Sequence, residues 1–208
     1  ATPILAFLLS ILFCYLINVI INFFKLNLFQ IDYQIRISLV FFGCLAAFAL
    51  GSNLTASIVG IYSPYLDLNI KFLNLLFIIS EEKLYFFGSL LIGIGALLFS
   101  QKIAQTVGSQ ISKINPVAAL AILITQIIIL LCFSSQLIIN YLNFALPFDI
   151  FAIPLSASHI TFASIIGIAS FNKFREVKPT HTIKIILSWF LIPISVFFTS
   201  YLFGIIKI

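Results

Sequence analysis

Charge is what this sequence has least of: 8% of its 208 residues are Asp, Glu, Lys or Arg, against about 25% in an ordinary soluble domain. The six acidic residues all fall in or near the connections between apolar runs, so no pair of carboxylates is available inside one for general acid–base work. There is no metal-ligand spacing of His and Cys and no glycine-rich nucleotide loop, and His181, beside Lys178 and Pro179, reads as a loop residue. No enzyme, metal site or organic cofactor is expected. The cysteines, Cys14, Cys44 and Cys132, are odd in number, unpaired in spacing and set within apolar runs, which excludes a disulfide framework and makes them small hydrophobes. Methionine is missing altogether and the chain starts at Ala1, which points to a fragment or to the trailing half of a longer protein.

What is present is hydrocarbon. Hydrophobic residues make up 62% of the chain, and the mean hydropathy is +1.22. A helix needs roughly 20 apolar residues to cross the ~30 Å core of a bilayer. Residues 3–24 supply such a run without a charge, and further runs cover 37–62, 84–100, 115–139, 154–171 and 183–206. The expectation is an all-α integral membrane protein, a polytopic bundle of about six membrane segments forming a single domain over 1–208. The first run lacks the basic flank and cleavage site of a signal peptide and reads as a true span. Lys25, Arg36, Lys102, Lys113, Lys173, Arg175, Lys178 and Lys184 fall in alternate connections, while the intervening ones carry only Lys71 and Lys83. The positive-inside rule therefore places the first set in the cytoplasm and both chain ends outside, provided that the fifth segment crosses, in a multi-pass protein of the cell membrane. The same placement excludes nucleic acid as a partner, since the cations sit between spans.

Uniform Leu, Ile and Phe suffices for an anchor, so the informative positions are those where small and polar residues interrupt the runs. One is Gly51-Ser52-Asn53-Leu54-Thr55-Ala56-Ser57-Ile58-Val59-Gly60, followed by Ser63-Pro64. The other is Pro154-Leu155-Ser156-Ala157-Ser158-His159-Ile160-Thr161, leading into Ala163-Ser164-Ile165-Ile166-Gly167. Proline followed by hydroxyl residues ends one half-helix and starts another, with Ser156 or Ser158 placed as an N-cap. Helix-start N–H groups attract anions, and paired broken segments are the sequence mark of a secondary-transporter binding site. Close helix packing is the competing explanation for Ser, Thr and Gly in such places. Gln126 and the run Ser134-Ser135-Gln136 read as hydrogen bonding between helices rather than as ligands.

These interruptions resemble the hallmarks of the inorganic phosphate transporter (PiT) family: Gly51 to Ile58 is similar to its GANDVANA-like motif, and Pro154-Leu155-Ser156-Ala157-Ser158-His159 to its P-V-S-T-T-H motif. Between them, the stretch from Gln101 to Pro116 is similar to the family's K-x-x-x-T-V-G-x-x-I-x-x-L-x-P stretch, and Leu187 to Pro193 to its S-W-x-x-T-P helix. The order matches the C-terminal half of a full-length member. The resemblance implies one half of an inverted-repeat permease, with broken or re-entrant segments at 51–60 and 154–167. It implies symport of inorganic phosphate, or of sulfate, with Na⁺ or H⁺. It also implies a second half, from the same chain or from another subunit in a homo- or hetero-oligomer. On this pattern Asn53, Thr55, Ser57, Ser156 and Ser158 contact the oxyanion and Ser52 with Asn53 serve the coupling ion. Gly51, Gly60, Pro154, His159, Thr161 and Gly167 support the shape. Leu54 stands where the family has Asp or Asn, and Ser57 where it has a later Asn. Those departures motivate the alternative of a non-transporting half that packs against a competent partner.

Overall fold

A computed structural model describes residues 2–24, 27–62, 81–105, 114–145, 155–171 and 179–206. Among them every regular element is helical: α1 (Thr2–Phe23), α2 (Leu28–Val59), α3 (Glu81–Gln105), α4 (Pro116–Ser134), α5 (Gln136–Ala145), α6 (Ala157–Phe171) and α7 (Pro179–Ile206). The starts follow from local chemistry. Gln30 Oε1 accepts from the Asn27 N–H at 3.2 Å ahead of α2. Asn115 Oδ1 accepts from the Ala118 N–H at 2.7 Å and Pro116 opens α4 with its φ already helical.

Five of these helices are long and apolar enough to cross a membrane: α1, α2, α3, α4 and α7. The chain is a multi-pass membrane protein. The sixth expected span, α6, has 15 residues, a length of about 22 Å that falls short of the ~30 Å hydrocarbon core. Two boundaries differ from the sequence expectation. The run at 115–139 is divided, because Ser135 takes an extended conformation (φ −89°, ψ 113°) that ends α4. Its N–H still donates to Leu131 O at 3.1 Å and its carbonyl accepts from Ile139 N at 2.9 Å, so it closes one helix and opens the next. Residues 51–59, expected as a break, stay helical, and the interruption falls at Gly60, where α2 ends in a turn. The physical reason is that the hydroxyls of Ser52, Thr55 and Ser57 bond back to the carbonyls of Ala49, Gly51 and Asn53 at 2.9, 2.8 and 2.7 Å. Their polar groups are thereby satisfied without opening the backbone.

The helices pack around α4 and α6. Ala118, Ala121 and Ile122 of α4 meet Cys14 of α1 and Phe162, Ile165 and Ile168 of α6. A second cluster joins Ile129 and Leu130 of α4 to Ala6 of α1, Ala49 of α2 and Ile160 of α6. These pairings fix directions: α1 and α6 run parallel and α4 runs against both; with Ala49 in the cluster of Leu130 and Asn53 beside Ser134, α2 follows α4. The end of α1, the start of α2, the start of α4 and the end of α6 therefore share one end of the bundle. Those are the helix ends beside the basic stretches 25–36, 102–114 and 172–184.

Lipid tails are as apolar as leucine, so close backbone approach rather than expulsion of water holds such helices together. Gly167 shows the requirement: a Cβ there would lie 2.5 Å from both Phe7 O and Ser10 Oγ of α1. The outer surface is correspondingly apolar, with Phe144 94% and Leu97 83% exposed. That surface suits acyl chains and would be untenable in water.

Candidate functional site

α6 is the shortest of the apolar membrane helices and among the most enclosed, with Ile160, Phe162, Ser164, Ile165, Ile168 and Ala169 all buried. Polar side chains along it are tied to backbone: Ser164 Oγ donates to Ile160 O at 2.9 Å, with Ala6 O of α1 at 3.5 Å. Its start is different. Leu155 and Ser156 precede it in non-helical conformation, and the first backbone bond closing the helix runs from Ile160 N to Ser156 O at 3.2 Å. The N–H groups of Ala157, Ser158 and His159 therefore have no carbonyl four residues back within the helix. Pro154 lies outside the described residues.

At this start the hydroxyls of Ser156 and Ser158 are exposed and lie 2.9 Å apart. The two hydroxyls hydrogen-bond to each other, one O–H donating to the other oxygen and the second O–H left to donate outward; with the first-turn amides, which have no partner within the helix, they form a polar patch at the positive end of the α6 dipole. An anion is the ligand that such a patch favours.

The patch is held from two sides. On α2, Asn53 is 2% exposed. Its Nδ2 donates to Leu155 O at 2.8 Å and its Oδ1 accepts from Leu155 N at 3.2 Å. Ser134 Oγ, at the end of α4, donates to the same Oδ1 at 3.2 Å. The Leu155 side chain packs on the cluster of Ala49, Ile129 and Leu130. On the other side His159, half-buried, meets the Trp189 ring of α7 with centroids 4.1 Å apart and planes at 61°, and Trp189 meets Phe162 at 5.1 Å and 80°. Pro193, inside α7, has no N–H to give the Trp189 carbonyl, so the α7 backbone is weakened at the residue that touches α6.

The structure sets Asn53 against the Leu155 backbone, next in sequence to Ser156, with Ser158 and His159 in the first turn of α6. It does not bring Ser52, Thr55 and Ser57 there as free ligands: Thr55 is buried, Ser52 and Ser57 are not, and all three hydroxyls donate to their own helix. Thr161 is half-buried a turn further along α6. Gly167 serves the α1–α6 contact, Gly60 ends α2 with helical dihedrals, and Gly51 has open space where a Cβ would stand. Sequence reasoning placed Ser134 as a hydrogen bond between helices without seeing that its partner is Asn53. Nor did it see the part played by the Leu155 backbone. Among the described residues no three His, Cys, Asp or Glu side chains gather as a metal site.

A bundle of helices of membrane-crossing length, with a polar patch at the start of a short interior helix, defines a polytopic helical membrane protein. The chain belongs to the phosphate transporter family, whose model matches residues 1–200. No curated protein sequence and no solved structure matches it. Membership makes the chain a transporter-family protein rather than an enzyme, with phosphate the substrate implied.

Proposed function

We propose that this chain forms one half of a cell-membrane permease for inorganic phosphate, and that the first turn of α6 is its oxyanion half-site. The observation that carries the reading is the pair of exposed hydroxyls, Ser156 and Ser158, 2.9 Å apart at the start of an otherwise buried helix. Hydrogen bonds to a charged group contribute roughly 1.5–3 kcal/mol each, so a few donors on a fixed frame reach micromolar affinity. Phosphate carries acceptor oxygens to engage both hydroxyls and the first-turn amides together. Sulfate has the same shape but no proton to donate, and this site of donors favours neither on geometry. The basic connections lie on the cytoplasmic side, a second half completes the site, and a Na⁺ or H⁺ gradient drives uptake.

The test is uptake of radiolabelled phosphate into proteoliposomes, with sulfate as competitor and Na⁺ and H⁺ gradients imposed separately. Ser156→Ala with Ser158→Ala is expected to lower phosphate affinity at least tenfold. Undiminished uptake by the double variant overturns the site. Leu54, which offers no oxygen where the family has Asp or Asn, favours a second reading: a half that packs with a competent partner without carrying phosphate itself. That reading predicts no saturable phosphate binding by the purified chain with the partner present.

A further inference from the structure

We infer that Asn53, held in place by Ser134, is a positioning residue that fixes the backbone at Leu155 and so sets the geometry of the α6 donor patch. This rests on the reading of that patch as the oxyanion site, and it gives the two side chains a role other than touching the ligand.

Leu155 is the last residue before the Ser156 cap and lies outside any helix. A peptide group in that position has no helical partner, and an N–H and C=O left unpaired away from water cost several kcal/mol. Asn53 answers both with one side chain, donating to Leu155 O at 2.8 Å and accepting from Leu155 N at 3.2 Å. It imitates the edge of a neighbouring strand. The orientation of the amide is determined by its neighbours: two donors, the Leu155 N–H and the Ser134 hydroxyl at 3.2 Å, face one atom and a carbonyl faces the other. Only Oδ1 toward the donors satisfies all three. Both lone pairs of Oδ1 are then in use, and at 2% exposure the side chain has no water to exchange with. An oxygen so occupied is not free to coordinate a cation.

The clamp ties three elements to one peptide: α2 through Asn53, the end of α4 through Ser134, and the chain entering α6 through Leu155. A displacement of Leu155 carries Ser156 with it, so the hydroxyl pair and the first-turn amides keep their register only while the amide holds. Ser134 reaches the patch through Asn53 alone among its described hydrogen bonds. Removing its hydroxyl therefore acts by loosening Asn53.

The experiment uses the full chain reconstituted in lipid, with inorganic phosphate as probe, and two readouts. The first is hydrogen exchange of the backbone amides at 155–160. Ser134→Ala and Asn53→Ala are both expected to speed exchange there, and Ser134→Thr, which keeps the hydroxyl, is expected to restore protection. The second is the KM for phosphate uptake. Ser134→Ala raises it roughly two- to tenfold, the loss of one neutral hydrogen bond, with maximal rate little changed. In the Asn53→Ala background the same substitution adds nothing, because its route has already been cut. Additive effects of the two substitutions on KM, or unchanged amide exchange in both, overturn the inference. If Ser156→Ala with Ser158→Ala leaves uptake intact while the exchange results stand, the phosphate site is wrong and the clamp is not. If Asn53→Ala does not fold, Asn53→Asp takes its place: it keeps the acceptor and loses the donor to Leu155 O, and it is expected to deprotect the same amides.

Discussion

At the scale of single residues, two helical glycines have opposite consequences. Gly167 faces α1 so closely that a methyl group would strike Phe7 O and Ser10 Oγ at 2.5 Å, and one of those atoms is backbone and cannot step aside. Gly167→Ala is expected to lower stability by about 1–3 kcal/mol, the usual cost of overpacking, measured as unfolding in detergent micelles. Gly51 has nothing within 4 Å of its Cβ position. Gly51→Ala is expected to be neutral or to stabilise α2 by up to about 1 kcal/mol, the difference in helix propensity. Residue chemistry was also the most legible part of the sequence. Ser156 and Ser158 after a proline announce a helix start by type and spacing alone. The partner of Asn53 was not legible, because Leu155 lies 102 positions away and takes part through its backbone, which leaves no trace in side-chain identity.

At the scale of elements, polarity in an apolar run was a two-edged sign. It located the start of α6, but it also suggested a break at 51–60 where α2 continues, since Ser and Thr satisfy themselves on the preceding turn of their own helix. Conversely, the division between α4 and α5 was hidden, because Ser135 needs only an ordinary extended conformation to make it. The attachment of α7 rests on a few residues rather than on a broad interface: none of its most apolar stretch, Thr182–Gly204, is buried, and Ile185 and Trp189 are what pack on the core cluster. Trp189 supplies contacts to His159 and Phe162 at 4.1 and 5.1 Å. Aromatic pairs are worth about 0.5–1.5 kcal/mol each, so Trp189→Ala is expected to cost about 1–3 kcal/mol. It should also speed amide exchange in the first turn of α6, while Trp189→Phe keeps most of both. Unchanged exchange at 157–160 in Trp189→Ala contradicts a supporting role for α7.

At the scale of the whole molecule, the pairing of helices agrees with a rule that uses no structure. Positive-inside counting assigns the stretches 25–36, 102–114 and 172–184 to one side of the membrane. Packing independently sets the neighbouring ends of α1, α2, α4 and α6 together. With the native cysteines replaced, a cysteine at Gln30 is expected to react with an impermeant maleimide only from the cytoplasmic side. One at Tyr62 is expected to react only from outside; both positions are exposed. Reversed labelling contradicts the orientation. The class was plain from composition, since nothing but a bilayer accommodates such runs; the count was not, for where about six segments were expected the described residues form seven helices, five of them of membrane-crossing length. The centrality of α6 was not, because burial inside a membrane bundle depends on small-residue fit across helices distant in sequence rather than on hydropathy.

The central claim is that the first turn of α6 receives phosphate, and equilibrium binding of radiolabelled phosphate to the reconstituted protein and to its Ser156→Ala, Ser158→Ala variant tests it most directly. Saturable binding by the parent that falls at least tenfold in the variant, with the variant still folded by its amide-exchange pattern, is the predicted result. Equal affinity of the two proteins for phosphate contradicts the account.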